Sequence, residues 1–365
     1  MKNILDLQLQ EVITAAHYMP CVSLIMPFEP KMANKHELEQ RLKSHQQRIE
    51  RQLIEEYPSD KALPVLEKFQ QIIRSINYSS YKKSVAIYVS PLLQKIYYLD
   101  IDVEEKMIID ESFEIRDLVN NKKEKRSFLL VHIGGHYNCF YLFENSKLQR
   151  IRTNSFAHVK IDVNDRTEQI EDDLLQESET RKEILLEKLL RLTDHALEET
   201  LKDYPYPVFF IGSQKAIGTY KKVSRSLNKI AGFIRGSFEF LHEKQVATLL
   251  EPHINEWKRI FTQTLLMRIE IAFSAQRLTY GIENVWREAS RKNCKLLVVE
   301  KNYMCSAKHG ANANEIFKVT AASGMYIKDA VDDVIEMVLL NGGDVEFVDN
   351  GSLRQYEHIV LIRYF

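Results

Sequence analysis

Short apolar runs closed by proline, glycine or polar residues alternate along this chain with longer stretches in which apolar side chains recur every three or four positions. The first pattern is that of buried strands, the second that of helices with one buried face. Residues 21–28 (CVSLIMPF) form such a run between Pro20 and Pro30 and predict a strand. From 34 to 57, Leu38, Leu42, Ile49, Leu53 and Ile54 fall at helical spacing, and Leu66, Phe69, Ile72, Ile73 and Ile76 carry a second helix that Ser59 can cap. Residues 84–90 and 95–99 read as strands around a Pro91 turn, with a third at 105–109. The charge run 120–126 has no apolar residue to anchor it in a core, and reads as a linker that closes a β-α-α-β-β domain.

Beyond it, the runs at 127–133 and 137–143 flank Gly134, Gly135 and His136 and predict a hairpin, with a third strand at 147–153. A leucine-rich helix at 167–202, a strand at 208–211, a helix at 215–227, a strand at 230–234 and a helical stretch at 243–293 follow. This order predicts a mixed sheet covered by helices. The last third offers a helix at 283–291, a strand at 295–300, a helix at 326–340 stopped by Asn341, Gly342 and Gly343, and strands at 345–348 and 359–364. The expected architecture is a multidomain α/β (α+β) protein divided at 1–124, 125–272 and 273–365.

Length and composition agree with this division. The chain has 365 residues, 45% of them apolar and 28% charged, which is ample for two or three packed cores and excludes global disorder. Glycine and proline number only 12 and 9, which favours long elements over loops. The formal charge of −1 draws the chain to neither nucleic acid nor membrane, so any such affinity is local. The four cysteines (Cys21, Cys139, Cys294, Cys305) are widely spaced without a CxxC pair, which fits a reducing, cytoplasmic setting. Neither a signal peptide nor a membrane-spanning run is expected.

The order of elements resembles the archaeo-eukaryotic class I release factors and pelota, and specifically the bacterial archaeo-eukaryotic release factor family. The resemblance lies in VSLIMPFEP, the helix pair and SVAIYVS in the first segment, and in FFIGSQKAIGTYKKVSRSL and IAGFIRGSF in the second. In the third it lies in TYGIENVWREASRKNCKLLVVEK and DAVDDVIEMVLLNGGDVEFVDNG. It implies a C-terminal domain similar to the kink-turn-binding ribosomal-protein-like α-β-α fold. It also implies a cytoplasmic protein that enters the ribosomal A site, its first domain toward the decoding centre and its middle domain toward the peptidyl-transferase centre. A translational GTPase is the companion that the resemblance suggests.

Release factors cut the nascent chain free with a Gly-Gly-Gln loop in the middle domain. Here Gly134 and Gly135 precede His136, and Gly342 and Gly343 precede Asp344. The loop would fall near 154–182, a window without glycine that carries eight acids and one base between Asp162 and Glu179. Like charges repel there on approach to RNA phosphates, so peptidyl hydrolysis is not expected and no catalytic residue is assigned. The same acids equally suit a solvated helix N-terminus. The codon-reading loop of release factors is likewise missing, since only residues 55–60 separate the first two helices.

Residues 213–236 hold six cations and no acid: Lys215, Lys221, Lys222, Arg225, Lys229 and Arg235. With Lys221 and Arg225 four apart on one helix, they are the candidate RNA-binding residues, and a merely solvated helix is the alternative. Lys122, Lys123, Lys125 and Arg126 read as linker. His132 and His136 read as structural, and Cys294, Cys305 and His309 lack a fourth zinc ligand, so neither a metal nor a cofactor is expected. Residues 308–324 read as a mobile connection. The expected function is non-hydrolytic occupation of the A site in rescue, quality control or hibernation. Two other readings stay open: a metal-dependent RNA or nucleotide hydrolase using Asp162 and Asp165, and a protein-interaction scaffold of the same architecture.

Overall fold

The computed structural model describes residues 7–14, 19–28, 35–124, 127–133, 138–144, 147–151, 179–236, 243–312, 314–319 and 326–365. By contacts within the chain, Met1–Glu124 and Leu265–Phe365 form one compact unit and Lys125–Thr264 a second. The three segments read from the sequence are thus gathered into two units, the first and third around a shared apolar core.

In the first unit, β1 (Cys21–Pro27), β2 (Ser84–Val89), β3 (Gln94–Leu99) and β4 (Lys106–Asp110) form an antiparallel sheet in the order β3-β2-β1-β4. Both central strands are apolar at nearly every position because both of their faces are covered. Val22, Leu24 and Met26 of β1, with Val85, Ile87 and Val89 of β2, pack beneath α2 (Lys35–Glu56) and α3 (Ser59–Arg74). Cys21, Ile25, Ala86 and Tyr88 face the other way, into a core that also holds Leu9, Val12 and Ile13 of α1 (Leu7–Thr14) and the last third of the chain. Of the predicted α2 stripe, Leu38, Leu42, Ile49 and Leu53 are buried, with His45 added, while Ile54 is exposed. Pro58, not Ser59, takes the N-cap position of α3, and no side chain caps it.

The last third builds a second sheet, β10 (Leu278–Tyr280), β15 (Ile359–Ile362), β11 (Leu296–Glu300) and β14 (Asp344–Val348), in which only β11 and β14 run parallel. Ile282, Val285, Trp286 and Ala289 of α8 (Ile282–Ser290) and the buried face of α9 (Ala330–Leu340) pack in the shared core. The predicted Gly-Gly stop divides its labour. Gly342 takes φ +76°, and a Cβ on Gly343 would lie 2.8 Å from the Cys294 carbonyl oxygen.

Three sequence readings are corrected here. The charge run is no linker: residues 116–124 form α4 (Arg116–Glu124), in which Asn120 and Asn121 are buried. Polar partners substitute for apolar contact, since Lys123 Nζ lies 2.7 Å from Asp344 and 2.9 Å from Glu346, and Asn121 accepts from the Asp100 N–H at 2.8 Å. The helical stretch at 243–293 is broken. Its first helix, α7 (Glu243–Ser274), ends where Gln276 takes φ +57° and the Arg277 N–H reaches the Ala272 carbonyl at 2.9 Å, a stop made without glycine or proline. Within the segment read as a mobile connection, the described residues form a hairpin, β12 (Ala307–His309) with β13 (Ile316–Lys318).

Two helix N-termini meet inside this unit. Asp332, in the first turn of α9, accepts from the N–H groups of Ile115 (2.9 Å) and Arg116 (2.8 Å), where α4 begins. Asp329 caps α9 through the Val331 N–H (3.1 Å), accepts from the Cys305 N–H (3.2 Å), and pairs with the Arg116 guanidinium, both side chains being almost fully buried. Burial pushes Glu114 well above the usual carboxylate range, with Asp332 and Asp329 adding to the effect. Such clusters hold only while each charge keeps its partner.

Asp329→Ala strands the buried Arg116 guanidinium and is expected to destabilise this unit by about 3–5 kcal/mol. The two tryptophans divide the readout, since Trp286 lies in this unit and Trp257 in the other. In a Trp257→Phe background the urea midpoint followed by Trp286 fluorescence should fall accordingly. A loss below about 1 kcal/mol, the size of an exposed pair, would remove the clamp from this account.

Candidate nucleic-acid interface

The second unit is a five-stranded sheet in the order β7-β6-β5-β8-β9, formed by β5 (Phe128–Ile133), β6 (Asn138–Glu144), β7 (Lys147–Arg150), β8 (Val208–Gly212) and β9 (Ile230–Arg235). β5, β8 and β9 are parallel, and β6 and β7 extend the sheet antiparallel, which is the mixed sheet expected. One face carries Leu129, Val131 and Phe210 against α5 (Glu179–Asp203) and α6 (Gln214–Val223). The other carries Phe128, Leu130 and Phe209 against Val246 and Leu250 of α7. Gly232 lies under the Phe209 ring, where a Cβ would come within 2.8 Å.

The candidate cations lie along the β8-α6-β9 crossover, all six of them exposed. Because the chain leaves β8 at its carboxyl end, returns along α6 and rises again in β9, a cluster contiguous in sequence is divided between two ends of the crossover. Lys215 sits in the first turn of α6, and Arg235 pairs with Gly212 at the ends of β8 and β9. Lys221 and Lys222 sit in the last turn of α6, and Arg225 and Lys229 lie in the return to β9, at the opposite end.

Arg225 is not on the helix, which corrects the i, i+4 pairing with Lys221. Helix α6 ends at Val223, and Ser224 is extended (φ −73°, ψ 140°). The cause is Asp194 on α5, whose carboxylate accepts from Tyr220 Oη (2.8 Å), Ser224 Oγ (2.6 Å) and the Arg225 N–H (2.8 Å). Burial opposes the ionisation of Asp194, yet the hydrogen bonds from Ser224, Arg225, Tyr220 and Ser226 win and hold its carboxyl below the usual range. Burial, with Asp194 beside it, keeps the Tyr220 phenol protonated well above its ordinary pKa. No sequence signal ties Asp194 to a loop 30 residues away. The Ser-Arg-Ser run after the helix was the only local hint.

The six cations differ in availability. Lys215 pairs with Glu183 at 3.0 Å, and the Lys221 ammonium lies 4.5 Å from the centroid of the Phe233 ring. Lys222, Arg225, Lys229 and Arg235 make no side-chain ion pair with the described residues. Three of these four lie from the last turn of α6 to the start of β9, with Lys222 in the last helical turn, where the dipole favours positive charge.

His132 is fully buried in β5, opposite Cys139 and Ile211. Gly134, Gly135, His136, Lys125, Arg126, Asp162, Asp165 and most of the acidic window lie outside the described residues. Burial, with Glu288 adding to it, pushes the Cys294 thiol up to about 11. Among the described residues no group of three or more His, Cys, Asp or Glu side chains is arranged to hold a metal ion, and no helix is long and apolar enough to cross a membrane.

Residues 139–293, a segment that contains the whole crossover, match the family described as bacterial archaeo-eukaryotic release factor family 3. The family resemblance read from the sequence therefore holds over that segment. No curated protein matches. Among solved structures, the chain is similar to the archaeal translation termination factor aRF1 at 9% identity, covering 98% of this chain and 96% of that one with a TM-score of 0.24. It is similar to Saccharomyces cerevisiae Dom34, a translation termination-like factor involved in RNA quality control pathways and interacting with Hbs1, at 12% identity over 78% and 73% of the chains with a TM-score of 0.41. It is also similar to archaeal Pelota, in a model of ribosome-bound Pelota and ABCE1, at 11% identity over 76% and 73% with a TM-score of 0.43.

Asp194→Ala leaves the buried Tyr220 hydroxyl without its acceptor and should cost this unit about 1–3 kcal/mol at neutral pH, followed by Trp257 fluorescence in a Trp286→Phe background. Because the Asp194 pKa is lower folded than unfolded, its contribution is present above roughly pH 4 and lost as pH falls through the folded value. Acidification should therefore destabilise the wild type more than the variant. Parallel losses would contradict the assigned hydrogen bonds.

Proposed function

We propose that this chain, which carries the bacterial archaeo-eukaryotic release factor family 3 pattern over residues 139–293, is a non-hydrolytic ribosome-associated factor. It occupies the A site in rescue, quality control or hibernation. The observation that carries this reading is the cation group at the C-terminal end of α6, held in place by Asp194 and lying inside the family segment. Lys222, Arg225 and Lys229 contact rRNA phosphates, with Lys221 presented from the Phe233 ring, while Lys215 and Arg235 contribute at the far end of the crossover. Such contacts position a protein on RNA without reading sequence, so selectivity comes from the shape of the site. Dom34, a similar structure, is described as interacting with Hbs1. A translational GTPase as companion deepens the same reading.

The missing Gly-Gly-Gln sequence supports a factor that holds the site without cutting the nascent chain. The competing hydrolase reading rests on Asp162 and Asp165, which lie outside the described residues.

Changing Lys221, Lys222, Arg225 and Lys229 together to Glu should lower ribosome affinity in co-sedimentation by about tenfold or more and flatten its salt dependence. Changing Lys215 and Arg235 should do less. Equal affinity of the four-fold variant and the wild type would remove the patch from the interface. A model peptidyl-tRNA complex should release no peptide when the protein is added, and measurable release would overturn the non-hydrolytic reading.

A further inference from the structure

The unit formed by the first and last thirds of the chain contains a cavity of about 970 Å³, within the size range of small-molecule sites. Five carboxylates line it: Glu56 at the end of α2, Asp110 and Glu111 at the end of β4, and Asp333 and Glu336 on α9. Lys308, Lys328 and His309 face the same space. Lys328 is already engaged by this chain. Its N–H reaches Asp110 at 3.1 Å, its ammonium donates to the Ile109 carbonyl, and it lies 3.9 Å from Glu56.

The two α9 carboxylates are three residues apart and share a helix face. Asp333 accepts from Ser112 Oγ at 2.8 Å. Glu336 is only 8% exposed, and its carboxylate makes neither a hydrogen bond nor an ion pair with any described residue. A carboxylate so buried needs a counter-charge or a proton. Burial, opposed by the Ser112 hydrogen bond, pushes Asp333 up to about 7, and burial with Asp333 nearby does the same to Glu336. Trp286, Tyr57 and Tyr326 supply aromatic wall, a surface that favours cations and methylene groups over anions. The carboxylates do not gather into a metal-ligand set among the described residues.

We propose that this cavity binds a small organic polyammonium ion, with Glu336 and Asp333 as its counter-charges and the aromatic wall against its methylene chain. This goes beyond A-site occupancy and does not rest on it. Primary ammonium groups keep their charge up to about pH 10, so the pH dependence of binding belongs to the protein. With both carboxyl groups raised by burial to about 7, they gain protons as the pH falls from 8 to 6 and lose them as it rises. Binding therefore strengthens as the pH rises through neutrality and weakens as it falls. Glu56, Asp110 and Glu111 add negative potential, and Lys308 and Lys328 subtract from it.

Titration calorimetry of the full chain with spermidine tests this at pH 8 and pH 6. The expected result is saturable binding at pH 8, weaker by about tenfold or more at pH 6, where both carboxyl groups take up protons, and about tenfold weaker in Glu336→Gln at pH 8, where one is lost. Magnesium chloride at equal ionic strength should not displace it. His309→Gln should keep the pH dependence, which separates the carboxylates from the imidazole. Glu336→Gln fills the same volume, and thermal unfolding checks that it is folded. Absence of heat at both pH values, equal binding by wild type and a folded Glu336→Gln variant, displacement by magnesium, or loss of the pH dependence in His309→Gln would each overturn the proposal. Because the assay contains no ribosome, its failure leaves the A-site reading where it stands.

Discussion

Helices α4 and α9 begin at the same buried place, with Arg116, Asp329 and Asp332 all removed from solvent. The donors of one are satisfied by a carboxylate on the other: Asp332 takes the Ile115 and Arg116 N–H groups, while Asp329 caps its own helix and pairs with the Arg116 guanidinium. Because a buried N–H or an isolated buried charge is costly, neither helix can be set aside without stranding the partners of the other. This exchange joins segments more than 200 residues apart and makes the first and last thirds of the chain one unit. The shared apolar core surrounds it and excludes the water that would otherwise compete for these groups.

The same constraint sets the character of the neighbouring cavity. Helix α9 is turned by Asp329 and Asp332 so that two of its other acids, Asp333 and Glu336, line a space shared with Glu56 and Asp110. Burial pushes the Asp333 and Glu336 carboxyl groups up to about 7, with neighbouring acids adding to it. Structural polarity on one face of a helix thus becomes chemical polarity on the next.

In the second unit the organising group is also an acid held by hydrogen bonds, but it shapes a surface rather than an interior. Asp194 holds Ser224 and the Arg225 N–H off the helix and so starts the return to β9, along which Arg225 and Lys229 lie. A continuous helix would have carried Arg225 onward along its own axis. The parallel crossover separates Lys215 and Arg235 from that group, so the positive field at one end is built from fewer cations than the sequence count suggests, and from better placed ones.

Local pattern determined the strands at the centre of both units, most of the α2 stripe and the glycine stop after α9, because each depends on neighbours within a few residues. The family resemblance was legible for the same reason, being carried by contiguous runs such as FFIGSQKAIGTYKKVSRSL. Polar residues misled wherever their partners were remote. The run 120–126 read as a linker because Asp344 and Glu346, which bind Lys123, lie more than 200 positions away. Arg225 read as helical because Asp194 sits on another helix, and α7 read as longer because its stop uses a left-handed Gln276. Tertiary structure decided which charges are buried, which are paired and which remain exposed. A charge is tolerated inside only beside its counter-charge or a donor, and the pairing that brings them together is a property of the folded chain.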